Sequence, residues 1–515
     1  VRAGVGGGGG GDIAQDEKVL VIGHSEVTDS YDPAHGFTQT TGIVNHAAYS
    51  QLVTFPDADA SEILPLLADS WSISDDGLTY TFSLNADAVF ANGDDIDSDD
   101  VVFSIQRLQN VNGNPSFLAD HIVSVEAHDA DTVSITLDNV RPSFLSELTS
   151  YAFSIVDADS VRANGGTDAM DAATTDTAED FINSMSQGSG PYVMSLWEPQ
   201  VRTELTRNEN YWRDAPYFDR VIIINMPEAA TQKAALESGE IHLALDLSTD
   251  QMDSLRDNPD IAVYSGPSNY THFVLMNEDP AVGGPFSEPL VQSAVKHALD
   301  YEGYRTLWGG ETPGTNMWVG LFSAFRQDRA YVRDLDKARE LLAEAGYGDG
   351  LDVTLQYPDF SLGGVNFNTN AQKIQADLAE VGINVTLEPG ELQVSLEQYR
   401  NGEQGFAYWL WGPDILDPLD FLSFMPGGKV AKERTNWFMN DVPEEVQDMI
   451  MAARSTSDTA ARLEIFTALQ EWSQQNAPYA PFNVPQVQTA FRADLQGFVF
   501  HPQWLLDVAI LSRGM

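Results

Sequence analysis

Short apolar runs alternate with polar turns in the first third of the chain and predict a mixed structure of strands and helices. Lys18–His24 reads KVLVIGH, a short apolar strand. Within Asp69–Leu84 a DDG turn precedes strict alternation, which is typical of a β-hairpin. Acids at the start of Asp97–Gln109 cap a helix with apolar residues at helical spacing, and Thr132–Leu137 alternates again as a strand.

The middle of the chain predicts a strand–helix–strand unit. Arg220–Asn225 (RVIIIN) is continuously apolar, as in a strand covered on both faces. Glu228–Ser238 has a helical composition, Gly239 supplies its C-cap, and Ile241–Leu245 is a second apolar strand. Such a βαβ unit indicates an α/β body. The earlier segment Ala163–Glu179 is small, polar and acidic, and we predict it to be a surface loop or insertion.

The second half repeats this pattern and predicts a second α/β body. Helical patterns that end in glycines Gly303, Gly346 and Gly382 occupy Pro289–Tyr301, Leu335–Ala345 and Ala371–Val381, and a long helix is predicted at Ala460–Gln475. The predicted strands are Asp352–Tyr357, Ile383–Glu388, Gly405–Trp411, Ala480–Val484 and Val487–Phe491. The predicted fold class is therefore α/β, with one sheet in each body.

One stretch of the second body carries candidate chemistry. In AYWLWGPDILDPLDFLSFM, Ala407–Met425, an apolar strand stops at Gly-Pro and is followed by Asp414, Asp417 and Asp420 at three-residue spacing. Acids at the end of a strand can bind a metal ion, act in catalysis, hold a cationic ligand or cap a helix. The pattern alone leaves these four roles open.

Charge narrows the class of protein. The 515 residues, enough for two or three domains, include 77 acidic and 27 basic residues, for a net charge of -50. Such a surface repels nucleic acid and anionic lipid, so no nucleic-acid partner is expected. Only 7 of the basic residues are Lys. A Lys-poor, Asp-rich composition suits molar salt and predicts a halophilic, archaeal source, with an acidic mesophilic secreted protein as the alternative.

The absence of cysteine and of known catalytic motifs excludes further classes of protein. The chain has no Cys, which removes disulfides and thiolate chemistry, and G-x-S-x-G, H-E-x-x-H and Walker A motifs do not occur. His24, His35 and His46 fall on different predicted elements, so neither a zinc site nor any cofactor is expected. Residues 1–17 contain six consecutive glycines and are interpreted as a flexible tether after a processed N-terminus, or as an expression scar.

Six segments in a fixed order carry a resemblance to a known family. They are LPLLADSWSISDDGLTYTFSLNADAVFANGDDIDSDDVVFSIQRL, GSGPYVMSLWEPQVRTELTRNENYW, DRVIIINMPEAATQKAALESGEIHLAL, PFSEPLVQSAVKHALDYE, DKARELLAEAGY and IQADLAEVGINVTL. From about Leu20 to Leu511 the chain resembles the family 5 extracellular solute-binding proteins, the dipeptide- and oligopeptide-binding components of ATP-driven (ABC) importers.

The resemblance implies a two-lobed α/β fold of the periplasmic-binding-protein (Venus flytrap) type with an extra α+β subdomain. In that architecture lobe 1 comprises 18–52, 181–269 and 479–515, the extra subdomain 53–180, and lobe 2 270–478. It implies a non-enzymatic, monomeric protein at the cell surface that captures a peptide and delivers it to a membrane permease. An oligosaccharide ligand is an alternative in the same family, and a glycoside hydrolase is a remote one.

The resemblance also assigns roles to the aspartates. In peptide-binding relatives an aspartate three residues before an acid-Pro pair holds the free α-amino group of the ligand, and Asp414 occupies that position. A carboxylate at a rigid strand end suits an ammonium group removed from water. The alternative is that Asp414 only caps the Gly-Pro turn. Asp417 and Asp420 are expected to be turn and N-cap residues.

Aromatic residues supply further candidates for ligand contact. Trp409 and Trp411 share one strand face, opposite Tyr408 and Leu410, and that face either lines the cleft or packs in the core. The other candidates are Trp437, Asn436, Tyr270, Asn269 and Glu26. Dipeptide-binding relatives meet the ligand carboxylate with a basic residue that has no counterpart between Gln356 and Gln372. The carboxylate is therefore met elsewhere, or the ligand lacks one there.

Overall fold

The computed structural model describes residues 17–60, 62–310, 317–318, 329–362 and 365–514. The predicted tether falls almost entirely on residues 1–16, outside this part of the chain. In the described residues, three sheets of four or more strands organise the protein, and helices pack against them. We call them the first, second and third sheets.

The first sheet has seven strands and contains the predicted strand–helix–strand unit. Its spatial order is Ile261–Pro267, Gln486–Arg492, Leu243–Ala244, Val19–His24, Arg220–Asn225, Arg202–Arg207 and Tyr192–Glu198. Val19–His24 lies between the two strands of that unit and pairs in parallel with both. The helix between them, Ala229–Ser238, ends at Gly239, whose φ of 80° is the left-handed conformation expected of a glycine C-cap.

The second sheet has five strands, in the order Ile383–Gly390, Leu351–Pro358, Phe406–Trp411, Thr271–Met276 and Tyr479–Asn483. Its edge strand corrects one prediction. Residues 479–483 were assigned to the first lobe, but Tyr479–Asn483 pairs antiparallel with Thr271–Met276. All five residues of this strand are buried, so its apolar surface is covered within the second lobe, and the chain leaves that lobe only after Asn483.

Two short connections join the first and second sheets. Ser268–Tyr270 links the strand Ile261–Pro267 to Thr271–Met276, and Val484–Pro485 links Tyr479–Asn483 to Gln486–Arg492. The strands on either side of these connections are paired with each other in both sheets. The two connections therefore run side by side, as in a hinge between two lobes.

The third sheet is antiparallel, in the order Ala68–Ile73, Thr79–Leu84, Thr132–Leu137 and Ile122–Asp129. The predicted hairpin forms its first two strands. The helix Ser98–Val111 packs against this sheet, and Asp97 caps it: its side chain accepts from the backbone N–H groups of Asp99 and Asp100.

The remaining helices and short strands fill the surfaces of these sheets. The other α-helices are Gln39–Ala48, Phe144–Glu147, Ala158–Ala163, Ala172–Thr175, Glu179–Ser184, Thr249–Leu255, Pro280–Gly283, Pro289–Ala298, Tyr301–Trp308, Leu335–Glu344, Phe367–Ala379, Leu392–Arg400, Lys429–Arg434, Glu444–Ser455 and Thr459–Asn476. The 3₁₀ helices are Ser116–Ala119, Tyr151–Phe153, Gly284–Ser287, Pro418–Phe424 and Met439–Asp441. Two-stranded pairs join Val53–Thr54 with Leu64–Pro65, Ser361–Leu362 with Val365–Asn366, Leu495–Gln496 with Ser512–Arg513, and Phe500–His501 with Leu505–Leu506.

A segment that was predicted to form one helix forms two. The pattern over Pro289–Tyr301 predicted a helix closed by Gly303, but the first helix ends at Ala298. The side chain of Asp300 then accepts from the backbone N–H of Gly303 at 3.1 Å and caps a new helix, Tyr301–Trp308. Gly303 therefore lies inside the second helix, because the aspartate N-cap was the stronger local signal.

The acidic segment 163–179 is more than a surface loop. Its Asp176 is buried and accepts hydrogen bonds from Arg107 at 2.8 and 2.9 Å. Arg107 is itself 2% exposed and also contacts the buried Asp32 with a bidentate pair of bonds at 2.7 and 2.6 Å. This arginine therefore joins the third-sheet helix Ser98–Val111 to the loop after the first strand of lobe 1.

Candidate functional site

A cavity of about 1010 Å³ lies between the first and second lobes. Glu26 and Gln39 line it from the first lobe, and Gly412–Asp414 line it from the second. We call it the Asp414 cavity. Most of the residues that face it follow the strands Val19–His24 and Phe406–Trp411, begin the helix Gln39–Ala48, or lie in the hinge connection Ser268–Tyr270.

A second cavity, of about 880 Å³, adjoins the first, and we call it the His24 cavity. It shares Gln39, Tyr270 and Leu505 with the Asp414 cavity. Other polar groups on its wall come from both lobes and from the hinge strand Gln486–Arg492: His24, Asp246, Thr249, His272, Gln486 and Gln488. Within the described residues, no Lys or Arg lines either cavity.

A hydrogen bond between the first lobe and the hinge lies where the two cavities adjoin. Gln39, at the start of the helix Gln39–Ala48, donates its side-chain N–H to the hydroxyl of Tyr270, next to the hinge. Burial raises the pKa of the Tyr270 hydroxyl to about 12, so the phenol stays protonated at neutral pH. The first lobe and the hinge are thus in direct polar contact at the centre of the cleft.

Asp414 lies on the wall of its cavity, three residues after the strand Phe406–Trp411 ends. Burial raises the pKa of its carboxyl to about 6, and the positive charges of Arg434 and Lys429 oppose the rise. Asn269 lines the same cavity: its Nδ2 donates to the Pro502 carbonyl at 3.1 Å, while its buried Oδ1 has no partner among the described residues. Both residues line the cavity, and Asp414 is the acidic residue on its second-lobe wall.

The other two aspartates of the motif shape the backbone, as expected. Asp417 caps the 3₁₀ helix Pro418–Phe424 by accepting from the Leu419 N–H at 2.7 Å, and it pairs with Arg462. Asp420 accepts from the backbone N–H groups of Asp414 and Ile415 at 2.6 and 3.4 Å. Its carboxylate therefore holds the loop that carries Asp414.

Of the two roles left open for Trp409 and Trp411, their contacts favour packing in the core over contact with a ligand. Trp409 is 5% exposed in the core of the second lobe, stacks on Tyr399 with ring centroids 4.5 Å apart, and donates its indole N–H to Gln404 at 2.7 Å. Trp411 packs edge-on against Phe421 and Phe424. The opposite strand face reaches the cleft instead, since Leu410 lines the His24 cavity. Alternation along the strand was predicted correctly, whereas the face that meets the cleft was left open.

Two further candidates lie away from the cavities. Trp437 is buried and stacks on Trp472 at 5.7 Å. Asn436 adopts a φ of 55° and donates its side-chain amide to Asn277, which makes it a turn residue. Neither residue lines the two cleft cavities, and Trp437 belongs to the apolar core of the second lobe.

Glu26 reaches the Asp414 cavity from the first lobe, but its carboxylate is engaged. One oxygen accepts from the backbone N–H of Thr40 at 2.7 Å and from the Thr40 hydroxyl at 3.0 Å. These contacts place the carboxylate at the first turn of the helix Gln39–Ala48, where the N-terminal dipole favours negative charge. Glu26 therefore contributes negative charge to the cleft from a fixed position.

Sequence reasoning missed the polar groups of the His24 cavity. His24, at the end of the first strand, has its Nδ1 2.6 Å from Asp246. Burial lowers the pKa of His24, the nearby Asp246 raises it more, and the net shift is upward. The two other histidines weighed for zinc, His35 and His46, face Asp32 and Asp507 instead. In the described part of the chain, no three metal-ligating side chains form a cluster that could hold an ion.

The two lobes, the paired hinge connections and the cleft between them define a two-lobed periplasmic-type binding protein. The family model for bacterial extracellular solute-binding proteins, family 5 (middle), matches residues 62–432. This chain belongs to that family. Across the described residues, no helix is long and apolar enough to cross a membrane.

Individual relatives match most of the length of the chain at modest identity. The probable D,D-dipeptide-binding periplasmic protein DdpA of Escherichia coli is 25% identical over 95% of this chain and 93% of its own length. Heme-binding protein A of Haemophilus influenzae is 28% identical over 84% of this chain and 81% of its own. The solved periplasmic binding protein DppA of Helicobacter pylori, in complex with the peptide STSA, is 25% identical. It superposes with a TM-score of 0.81 and covers 96% of this chain and 98% of that one.

Proposed function

We propose that this protein captures a peptide by its free α-amino group and delivers it to an ABC importer in the membrane. The observation that carries the proposal is the position of Asp414, a carboxylate in a cavity walled by both lobes, on a loop whose backbone N–H groups donate to Asp420. An ammonium group has three donors. Asp414 supplies a charged acceptor for it at the cavity wall.

Closure of the cleft follows from these contacts. A ligand held by Asp414 in the second lobe and by side chains such as Gln39 in the first gains both sets of contacts only when the lobes are together. Its binding free energy therefore shifts the population toward the closed form, which the permease recognises. No bond is made or broken in this cycle, and no cofactor takes part. The protein acts as a monomer outside the cell, at the outer face of the membrane.

The burial of the tryptophans weakens the two alternatives. Sugar-binding sites stack aromatic faces on the rings of the ligand. Trp409 and Trp411, which suggested such a site, pack against Tyr399, Phe421 and Phe424. A glycoside hydrolase needs two free carboxyl groups, whereas Glu26 is held by Thr40. An amine-bearing ligand fits the remaining acceptors better.

Native mass spectrometry of the purified protein tests the proposal, because a closed cleft can retain its ligand. We expect an added mass that fragments as a peptide with a free amino terminus. We also expect alanine peptides of two to five residues to bind and to be recovered intact. A retained sugar, together with no binding of any of these peptides, would overturn the proposal.

A further inference from the structure

A chain of hydrogen bonds in the second lobe ends at a side chain of the cleft, His272. Trp308 Nε1 donates to Asn370 Oδ1 at 2.5 Å, and Asn370 Nδ2 donates to the Tyr408 hydroxyl at 2.7 Å. That hydroxyl is 2.7 Å from His272 Nδ1. The two ends of the chain, Trp308 and His272, line the His24 cavity.

The indole N–H of Trp308 sets the direction of every hydrogen bond in this series. An indole N–H can only donate, so the carbonyl oxygen of Asn370 must face Trp308. The amide nitrogen of Asn370 then faces Tyr408 and donates to the hydroxyl oxygen. Burial raises the pKa of the Tyr408 phenol, so it keeps its own proton. In the part of the chain that the structure describes, His272 Nδ1 is the acceptor available to that proton.

The ring of His272 is therefore a neutral imidazole with its proton on Nε2. Its surroundings are apolar, because the rings of Phe367, Tyr408 and Phe482 have centroids 5.8 to 5.9 Å away. Burial lowers the pKa of His272 to about 3, so the ring stays uncharged across the physiological range. Nε2–H has no hydrogen-bond partner among the described residues, which leaves an oriented donor unused at the cavity wall.

We propose that His272 determines specificity by donating Nε2–H to an acceptor oxygen of the ligand, either a peptide carbonyl or the terminal carboxylate. This inference rests on the proposed function: Asp414 holds the amino group, and the rest of the peptide extends past Tyr270 into the His24 cavity. Within the described residues no Lys or Arg lines that cavity, so ligand oxygens there must be met by neutral donors and imidazoles. The hydrogen bonds that run from Trp308 through Asn370 to Tyr408 keep the Nε2–H donor of His272 in place.

His24 faces the same cavity from the first lobe. The pH dependence of binding beside it distinguishes a ligand carboxylate from a peptide carbonyl. The charged groups that face it are Asp246, 2.6 Å from Nδ1, and Glu26, 3.9 Å from Nε2. Its Nε2 has no hydrogen-bond partner in the described part of the chain. A ligand carboxylate near this imidazole favours the protonated ring and would make binding depend on pH, whereas a carbonyl would not.

Nitrogen NMR of the unliganded protein tests the tautomer directly, since the protonated and unprotonated nitrogens of a neutral imidazole differ widely in chemical shift. We expect His272 to carry its proton on Nε2 and not to titrate between pH 5 and pH 8. Tyr408→Phe removes the hydroxyl that fixes the ring and should give a mixture of tautomers. Tyr301→Phe is the matched control: it removes another buried hydroxyl of the second lobe, one that donates to Lys296, and should leave the His272 signals unchanged.

Calorimetry with trialanine and its C-terminal amide tests the contact. His272→Phe keeps a ring but removes the donor, and we expect about a 2- to 13-fold loss of affinity for both peptides, the range of one net hydrogen bond. Tyr408→Phe should cost less, and Tyr301→Phe nothing. If trialanine binds more tightly than its amide at low pH and loses that difference as pH rises through the pKa of His24, the ligand oxygen that His272 contacts is the terminal carboxylate. If the ratio of the two affinities does not change with pH, that oxygen is a peptide carbonyl. Both results support a hydrogen bond from His272 to the ligand.

A charged His272, a proton on Nδ1, or unchanged peptide affinity in a folded His272→Phe variant would overturn this inference. Those results leave the proposed function standing as long as wild-type protein binds trialanine through its amino group. Failure of the wild-type protein to bind any free-amine peptide would instead overturn both.

Discussion

The side-chain carboxylate of Asp420 accepts a hydrogen bond from the backbone N–H of Asp414 at 2.6 Å. One acid of the motif thus positions the other at the cleft wall. The two carboxyl groups also interact: burial raises the pKa of Asp420, and the negative charge of Asp414 raises it further. The pair resists carrying two negative charges until a cation arrives.

Binding of free-amine peptides should therefore weaken in acid. The ammonium group needs an ionised Asp414, whose pKa is about 6 in the empty cleft, so the association constant should fall about tenfold per pH unit below pH 6 and level off above it. Calorimetry between pH 4.5 and pH 7.5 measures this. Lys429→Gln removes a positive charge that opposes the rise of the Asp414 pKa and should move the midpoint to higher pH. A flat profile in both proteins would show that Asp414 does not titrate with binding.

The bond between Gln39 and Tyr270 should hold the lobes together in the unliganded protein. Gln39→Ala removes it, and we expect a larger radius of gyration by small-angle X-ray scattering, which saturating peptide reverses. Peptide affinity should fall about 2- to 13-fold, since one net hydrogen bond is lost. Gln375→Ala is a suitable control, because that glutamine bonds to Val385 within the second lobe. Equal radii for both variants would argue against a role for Gln39 in closure.

Arg107 should be among the costliest residues to replace. Arg107→Met leaves Asp32 and Asp176 buried without their cation, and breaking such a pair costs about 3 to 5 kcal/mol. Burial raises the pKa of Asp32 but Arg107 lowers it more, so the native stabilisation is present at neutral pH and is lost in acid. Urea unfolding at pH 7 measures the difference. Arg162→Met, which breaks an exposed contact to Asp99, should cost less than about 1 kcal/mol, and equal losses for the two would refute the assignment.

Salt should stabilise this protein strongly. With a net charge of -50, repulsion among surface acids opposes folding in dilute buffer, and at 1 M salt the screening length is only about 3 Å. We expect the melting temperature to rise steadily between 0.1 M and 3 M KCl. The same melting temperature at both concentrations would contradict adaptation to high salt.

The sequence predicted the strands and helices better than it predicted which of their faces line the cleft. The strand Phe406–Trp411 and the N-cap role of Asp417 follow from local patterns of apolar residues and N-caps. Which face of that strand meets the cleft depends on the helices packed behind it, and no local pattern contains that information. The sequence therefore left Trp409 open between the cleft and the core, and in the structure its indole N–H donates to Gln404 in the core.

The polar groups of the His24 cavity were missed for a related reason. His24 and Asp246 are 222 residues apart in sequence and meet because parallel strands of the first sheet end at the same edge. His272 owes its orientation to a chain of contacts through Trp308 and Asn370, which only the packed second lobe brings together. Pairings this distant leave no signal in a single sequence.

The most direct test of the central claim is the affinity of Asp414→Asn for trialanine and for N-acetyl-trialanine at pH 7.5. Asparagine keeps the size of the side chain and removes its charge. We predict that the wild-type protein binds trialanine far more tightly than the acetylated peptide. We also predict that the variant loses about 10- to 150-fold in affinity for trialanine, as expected for a charge-assisted hydrogen bond, and little for the acetylated form. Equal affinity of the wild-type protein and a folded Asp414→Asn variant for trialanine would contradict the account.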